Sequence, residues 1–260
     1  MVSRDLNPNR LSRHVSNLRV RCFGTVSSTN DVARGYALAG EEEGLVIVAE
    51  TQTHGRGRWG RIWQSPKGGL WLTILLRPTS LERLGLTSLA AGVAAVSTIE
   101  SFGVSASLKW PNDILSDGHK LGGILVEGGT QEDCHYLLVG IGINLNISKD
   151  AFPEDIRETA VSLLELTKST ISQDIFLNIL LGHFFELYQS ILSGQTDSLL
   201  KEYRRTCSSL GKKVRVETSR ETIEGIVVGI AHDGALLLDA GEGMIRNVLY
   251  GEVTSLKREG

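Results

Sequence analysis

The sequence predicts an α+β fold, in which a mixed β-sheet with packed helices is followed by a small C-terminal β-barrel. Two observations lead to this prediction. Short apolar runs rich in β-branched residues, such as 44–50 and 70–76, alternate with longer segments of helical apolar spacing at 81–102 and 172–193. Beyond about Cys207 the pattern changes to short alternating strands between glycine-containing turns. We therefore expect two domains, a large mixed one and a small one built of strands.

Composition and charge limit the class of protein. With 260 residues, of which 41% are hydrophobic and 22% charged, the chain is long enough for one large core and a small second domain. The change in pattern near Arg205 predicts the boundary, giving domains 1–205 and 206–260. A formal net charge of -3 argues against a protein that coats nucleic acid through overall positive charge, so no nucleic-acid partner is expected.

The cysteines and the N-terminal residues predict a cytoplasmic protein. Cys22, Cys134 and Cys207 are odd in number and lack any C-x-x-C pairing, so they predict neither a disulfide framework nor a zinc cluster. Residues 1–17 contain no apolar segment of an export signal. No stretch approaches the roughly 18 to 20 apolar residues of a membrane span, so no membrane partner is expected.

Local signals predict each element of the first domain in order. A strand is expected over 18–26, after which Ser27, Ser28 and Thr29 can cap a helix that stops at Gly40. Later strands are expected at 44–50, 70–76, 107–110, 114–116, 120–127 and 135–145. Later helices are expected at 81–102, 156–166 and 172–193.

The second domain is predicted from alternating strands at 212–219, 221–230, 235–240 and 244–256. Turn signals lie between them at His232-Asp233-Gly234 and Ala240-Gly241. Strands this short and closely spaced are typical of a small β-barrel.

The segment Gly55-Arg56-Gly57-Arg58-Trp59-Gly60 matches G-x-G-x-x-G after a buried strand, as a dinucleotide-binding fingerprint does. That fingerprint must open a helix, however, and the residues that follow have no helical period and break at Pro66. Arg56, Arg58 and Arg61 should instead repel one another and keep the loop mobile until a carboxylate or polyphosphate supplies negative charge. The alternative is a solvated basic loop.

Three further motifs decide between these interpretations. They are KWPND at 109–113, KLGGILVE at 120–127 and GIGINLN at 140–146. Together with GRGRWGR they resemble the biotin protein ligases in order and approximate spacing. Ser28-Thr29-Asn30 and Gln52 also lie where that family places biotin contacts, and GGLWLTILLRP resembles its strand after the loop. The resemblance covers the chain from about Phe23 to its C-terminus.

The resemblance implies a fold and an activity. The fold would be the class II synthetase-like catalytic core of biotin and lipoate ligases with an SH3-like C-terminal barrel. The activity would use ATP and Mg²⁺ to convert biotin into biotinyl-5′-AMP, and would then transfer the biotinyl group to a lysine. That lysine would belong to the biotin carboxyl carrier protein domain of a carboxylase such as acetyl-CoA carboxylase. The ligase would be a monomer or a homodimer.

The resemblance also implies site residues. Biotin contacts are expected from Ser28, Thr29, Asn30, Gln52, Arg56, Gly57, Arg58, Lys120 and Gly123. ATP contacts are expected from Arg56, Arg58, Arg61, Asn112, Lys120 and Asn144. The expected catalytic residues are Lys120, Arg58 and Asp113, and no residue is assigned to a metal. These types suit the substrates, because a neutral ureido ring needs donors and acceptors while a carboxylate and a triphosphate need cations.

Two of these residues have a structural alternative. Asp113 is expected to face the incoming carrier lysine, but an aspartate after Pro111-Asn112 also caps turns. Asn144 is expected to contact adenine, but an asparagine at a strand end also satisfies backbone groups.

Departures and rival functions complete the interpretation. Trp59 stands where some members carry an arginine, which we expect to affect loop packing alone. About 20 residues before the first strand cannot hold the three helices of the winged helix-turn-helix found in bifunctional members, so repressor function is expected to be absent. Lipoate protein ligase shares the fold, but the arginine loop and KWPND favour biotin. A nicotinamide oxidoreductase has only the glycine fingerprint in its favour, and a DNA-binding regulator lacks basic surplus and a recognition helix.

Overall fold

A computed structural model of the chain describes residues 18–82, 84–132 and 134–256. The seven strands of the first domain are β1 Arg19–Val26, β2 Leu45–Gln52, β3 Leu70–Leu76, β4 Ser107–Lys109, β5 Asp113–Ser116, β6 His119–Gln131 and β7 Cys134–Ile143. They form one sheet in the order β1-β2-β3-β7-β6-β5-β4. Only the β1–β2 pair is parallel among the pairings described for this sheet, so the predicted mixed sheet is confirmed.

Six α-helices accompany the sheet within the described residues. They are α1 Thr29–Leu38, α2 Leu84–Glu100, α3 Glu154–Arg157, α4 Leu163–Thr167, α5 Gln173–Leu192 and α6 Asp197–Thr206. Helix α1 packs on β2, β3 and β7, whereas α2 packs on β6 and β7 and against α5.

Helices on both faces explain why β3 is apolar at every position except Thr73. Every residue of β3 is buried, and alternate residues point to opposite sides of the sheet. Leu72 and Ile74 lie in the large core that contains α2 and α5, whereas Leu75 lies in a smaller core with Ala33 and Ala37 of α1. The N-terminus of α1 is thereby held over the sheet.

The helix predicted at 156–166 is wrong, because the chain there forms two short helices separated by an extended segment. Lys120 of β6 donates its backbone N–H to Thr159 O at 2.7 Å and accepts from Val161 N at 3.0 Å. These bonds draw the segment alongside β6. Ser162 then starts α4 in a capping box with Glu165, so the local cap favours a new helix.

Sequence reasoning missed α6, whereas the helix predicted at 172–193 is confirmed by α5. In α6, Leu199, Leu200 and Tyr203 form a buried stripe that follows an N-terminal aspartate, a signal that was present in the sequence. Helix α5 is 20 residues long and apolar enough, by length and composition, to cross a membrane, contrary to the expectation that no stretch is. A core helix passes the same test, and the buried aromatic residues of α5 contribute to the large core against α2.

The C-terminal sheet consists of β8 Lys213–Glu217, β9 Thr222–Ile230, β10 Leu236–Asp239, β11 Ile245–Val248 and β12 Glu252–Ser255. It is antiparallel throughout, in the order β11-β10-β9-β8-β12. The single strand predicted at 244–256 is wrong, since it divides into β11 and β12. Val214, Val227 and Leu238 share one core with α2, so the two predicted domains pack as a continuous interior.

Candidate active site

A cavity of about 160 Å³ lies where the arginine loop, the KWPND turn and the N-terminus of α1 meet the first half of β6, the C-terminal end of β7 and β12. It brings together every predicted site residue except Asn144. Those that line it are Ser28, Thr29, Asn30, Gln52, Arg56, Gly57, Arg58, Arg61, Asn112, Asp113, Lys120 and Gly123. Residues that line it and were not assigned from the sequence include Ile62, Trp63, Leu72, Lys109, Leu125, Gly140, Ile141, Gly142, Glu252 and Val253.

One end of the cavity is lined by polar side chains that carry no formal charge, and one of them, Asn30, donates its Nδ2 to the Glu127 carboxylate at 2.6 Å. Ser28, Thr29 and Asn30 are buried at the start of α1, where Ser28 occupies the N-cap position without a capping side-chain bond. The backbone N–H of Thr29 donates to Gln52 Oε1 at 2.8 Å, and Thr73 donates to Asn30 Oδ1 at 2.6 Å. These bonds fix the side chains in place, so their remaining donors and acceptors form a preorganised site for a neutral polar group.

Glycines in β6 and β7 make room for the cavity floor. Gly123 and Gly142 are register partners, and a Cβ atom on them would lie 3.3 Å and 2.9 Å from the indole of Trp63. A Cβ on Gly140 would lie 2.5 Å from Asn30 Oδ1. Side chains at these positions would displace the groups that line the cavity. Glycine is therefore required at these positions of KLGGILVE and GIGINLN because a larger side chain would not fit, and not because the backbone must be flexible.

Two arginines of the loop are neutralised by carboxylates elsewhere in the chain. Arg56 makes a bidentate contact with Asp31 of α1, with N–O distances of 2.7 and 2.6 Å. Arg61 Nη1 lies 2.5 Å from Glu252 Oε1 of β12. The loop is also closed on itself by a 2.7 Å bond from Gly57 N to Arg61 O. The expected reason for loop mobility, unrelieved repulsion between arginines, is therefore wrong.

Arg58 is the most enclosed of the three. Its Nη1 donates to Gly251 O at 2.8 Å, just before β12. Burial lowers the pKa of the Arg58 guanidinium from its usual value, and the charges of Asp113 and Glu252 act in the opposite direction. It keeps its charge nonetheless, because an arginine stays protonated near neutral pH. The adjacent Trp59 has a left-handed backbone (φ 58°) and is 57% exposed, so the indole is available at the cavity mouth.

Lys120 and Asp113 form an ion pair inside the cavity. Lys120 Nζ lies 2.7 Å from Asp113 Oδ1 and 5.2 Å from the ring centroid of Trp63. The local turn is closed instead by the backbone bond from Asn112 N to Lys109 O at 3.2 Å. The carboxylate is thus directed to a cation rather than to a turn cap.

Asn144 lies outside the cavity. It is buried, and its Nδ2 donates to Lys120 O at 3.2 Å and to Val161 O at 3.1 Å. Both amide protons are therefore used within the protein. Asn144 therefore satisfies backbone groups, which was the structural alternative to an adenine contact. It connects the extended segment before α4 to β6.

Comparisons with known proteins agree with this geometry. Residues 23–144 match the Biotin/lipoate A/B protein ligase family, and residues 209–254 match the Biotin protein ligase C terminal domain. The bifunctional ligase/repressor BirA of Bacillus spizizenii is 34% identical over 223 residues, spanning 84% of this chain and 69% of the relative. The chain belongs to the biotin protein ligase family. Neither matched domain is a DNA-binding domain, and the expectation about a missing repressor module rests on residues before Leu18, which lie outside the described part.

The ligase resembles further relatives over most of its length. The biotin--[acetyl-CoA-carboxylase] ligase of Mycobacterium tuberculosis is 31% identical over 243 residues, spanning 90% of this ligase and 87% of the relative. A biotin protein ligase from Aquifex aeolicus in complex with biotin and ATP superposes with a TM-score of 0.81 and 30% identity. The superposition covers 92% of this ligase and 99% of the Aquifex chain.

The Asp31–Arg56 pair predicts a pH-dependent effect on stability. The hydrogen bond that the Asp31 carboxylate accepts from Arg56 lowers the pKa of Asp31 below the ordinary value, whereas burial acts in the opposite direction. The stabilisation is therefore present above the unfolded pKa of about 3.9 and is lost as pH falls through the lower folded value. We expect Asp31→Asn to lower the free energy of unfolding by about 0.5 kcal/mol at pH 7, since the pair is partly exposed and screened.

Urea unfolding of both proteins between pH 7 and pH 2 measures this effect. The difference between them should shrink as the medium becomes more acid. A difference that stayed constant to pH 2 would contradict the charge-based explanation.

Proposed function

We propose that this ligase activates biotin with ATP to biotinyl-5′-AMP and then transfers the biotinyl group to a carrier lysine. The observation that carries the proposal is the arrangement of the cavity, in which the uncharged polar side chains Ser28, Thr29, Asn30 and Gln52 lie at one end. Elsewhere it contains the partly buried Arg58 and the Lys120–Asp113 pair. A molecule with a neutral ring and a carboxylate on an aliphatic chain matches this polarity.

Binding would use both ends of the cavity. Ser28, Thr29, Asn30 and Gln52 would hold the ureido ring, with the backbone at Gly57 and Gly123 beside it. Trp63 and Leu72 line the apolar part of the cavity. The biotin carboxylate would then lie toward Lys120 and Arg58, whose charges offset its negative charge.

In the first half-reaction a carboxylate oxygen attacks the α-phosphorus of ATP, and pyrophosphate leaves with the electrons of the α–β bridge. Negative charge accumulates on the phosphorus oxygens, where Lys120 and Arg58 would stabilise it. Arg61 and Asn112 are proposed to contact ATP as well. Mg²⁺ would arrive with ATP as its substrate complex, and no cluster of three metal-ligating side chains occurs in the part of the chain that the structure describes.

In the second half-reaction the carrier lysine attacks the acyl carbon, and AMP leaves. A lysine has an unperturbed pKa of about 10.4, so it reaches the cavity mostly protonated. Asp113 would orient this amine and accept its proton. The Lys120 ammonium, 2.7 Å from the Asp113 carboxylate, would remain beside the leaving phosphate.

Arg56 would act differently from its neighbours. Its guanidinium makes two hydrogen bonds to Asp31 and lies 3.9 Å from Glu127. The Arg61 side chain, by contrast, is 67% exposed and among the described residues pairs with Glu252 alone, so Arg61 can turn toward ATP. We therefore assign the Arg56 side chain to anchoring the loop on α1, next to the biotin site, rather than to neutralising ATP.

The acceptor is proposed to be the carrier domain of a carboxylase such as acetyl-CoA carboxylase, in the cytoplasm. Light scattering would decide between monomer and homodimer.

The direct test is to incubate the ligase with MgATP, biotin and a purified carrier domain, and to measure the mass of the carrier. The mass of one biotinyl group should appear on the acceptor lysine, and only when ATP is present. Lipoate in place of biotin is the control for the related ligase class. Modification by lipoate but not by biotin, or no modification, would reject the proposal.

Arg58→Gly should release biotinyl-5′-AMP faster. The change removes a partly buried cation from the side of the cavity where the phosphate would lie, and with it the bond to Gly251 O that ties the arginine loop to the C-terminal sheet. We expect the dissociation rate of biotinyl-5′-AMP to rise by about 100-fold, as loss of a charged hydrogen bond implies. The measurement is stopped-flow release, together with a count of biotinylated lysines on an unrelated protein in the same tube.

Lys149→Ala is a control on the surface, since Lys149 pairs with Glu158 at 3.3 Å and does not line the cavity. It should leave release unchanged. Unchanged release in Arg58→Gly, with biotin still confined to the carrier, would remove Arg58 from the site.

A further inference from the structure

Trp110 connects the active site to the C-terminal sheet. It is 2% exposed, lines the cavity and lies three residues before Asp113. Its indole Nε1 donates to Gly234 O at 3.1 Å, a buried hydrogen bond between residues 124 positions apart. The turn that carries Asp113 is therefore tied to the C-terminal sheet through a side chain of the cavity wall.

Gly234 belongs to a tight turn between β9 and β10. Gly234 N donates to Ala231 O at 3.0 Å, and Ala231 N donates to Ala235 O at 2.9 Å. The side chain of Asp233 accepts from Ala235 N at 3.0 Å. These bonds hold the Gly234 carbonyl in one direction, so the turn presents a fixed acceptor to Trp110.

The same turn packs directly on the first turns of α2. A Cβ on Gly234 would lie 3.2 Å from Leu89 Cδ1, and a Cβ on Gly85 would lie 3.1 Å from Asp233 O. The turn and the helix are thus in close contact at these two positions. A small displacement at this contact must therefore move the Gly234 carbonyl relative to Trp110.

The KWPND turn is held on its other side by the main sheet. Asn112 Nδ2 donates to Ile124 O at 3.1 Å, and Ile124 N donates to Asn112 O at 2.9 Å. Trp110 supplies the opposing attachment. The position of Asp113 relative to Lys120 thus depends on contacts from both sides.

We propose that Trp110 is a positioning residue, through which the β9–β10 turn of the C-terminal sheet holds Asp113 in place for transfer of biotin to the carrier. The proposal rests on the proposed function and extends it to a role for the C-terminal sheet. Trp110 acts here through Asp113 and not by contact with the reacting atoms.

Two variants test this from opposite sides of the contact. Trp110→Phe keeps an aromatic ring and removes the N–H donor. Gly85→Ala adds a methyl group on α2 that presses on the Asp233 carbonyl, outside the cavity. We expect each to slow transfer from preformed biotinyl-5′-AMP by about tenfold, while the rate of adenylate formation changes by less than about threefold.

A matched control exists in the next turn of the same sheet. Gly241 has a left-handed backbone (φ +97°), and no atom lies within 4 Å of the position that an added methyl group would take. Gly241→Ala adds the same methyl group as Gly85→Ala without touching the first domain, and it adds backbone strain that Gly85→Ala does not, so it is the more demanding test of the sheet. It should leave both half-reactions unchanged, with a melting temperature that reports the strain.

The double variant of Trp110→Phe with Gly85→Ala should transfer biotin no more slowly than the slower single variant, because both disturb one contact. Unchanged transfer in the single variants, or equal losses in both half-reactions, would overturn the proposal. A wild-type ligase that formed no biotinyl-5′-AMP would instead reject the proposed function, so the two failures are distinguishable.

Discussion

Lys120→Ala is expected to slow the formation of biotinyl-5′-AMP by about 100- to 1000-fold, the range for loss of one preorganised charge-stabilising group. The Lys120 ammonium lies 2.7 Å from the Asp113 carboxylate. In the proposed reaction the acyl phosphate of biotinyl-5′-AMP would form beside this ammonium. Its removal also leaves that carboxylate without its partner, next to two anionic substrates. Both effects disfavour the transition state of the first half-reaction.

Pyrophosphate exchange in the presence of biotin measures this step without the carrier. Lys120→Arg keeps a positive charge with a different shape and should recover part of the rate. Lys149→Ala again serves as the surface control. A rate within tenfold of wild type in Lys120→Ala would show that other groups stabilise the phosphate.

Asp113→Asn is expected to slow transfer from preformed biotinyl-5′-AMP by about 100-fold, because an amide cannot accept the proton of the carrier lysine. Adenylation should be little affected, because the substitution keeps Lys120 and removes only its partner in the Lys120–Asp113 ion pair. Lys120 loses the carboxylate at 2.7 Å that offsets its charge, so its attraction for the biotin carboxylate and phosphate is retained or increased.

Single-turnover measurements separate the two steps. Asp117→Asn is the matched control, since Asp117 has a left-handed backbone (φ 48°) in the β5–β6 turn and asparagine tolerates that conformation. It should change neither step. Equal loss of both steps in Asp113→Asn, in proportion to lost folded protein, would make Asp113 a structural residue.

Several site residues are near one another because local signals define their elements. The start of α1 follows from Ser27-Ser28-Thr29, and this places Thr29 and Asn30 at a helix terminus over the sheet. Lys120 and Asp113 lie on strands joined by the short Asp117-Gly118 turn, so their meeting also follows from local structure. These parts of the site were predictable.

Other features depend on distant parts of the chain. The segment 156–166 has an apolar pattern compatible with one helix, yet its backbone bonds to Lys120 divide it. Trp63 was not assigned, because its place depends on Gly123 and Gly142 facing each other in the folded sheet. The glycines could be seen in the sequence, but the register between β6 and β7 was needed to show that they make room for Trp63.

The sequence by itself determined the chemical character of this protein. Local runs of residues contain the motifs that surround the cavity. They also determine the alternation of strands and helices, and they carry the family resemblance. Only the tertiary structure decided which groups the charges meet. Arg58 bonds Gly251, 193 residues away, and Trp110 bonds Gly234, 124 residues away. Contacts at such separations follow from the packing of the whole chain, and periodicity along a segment contains no information about them.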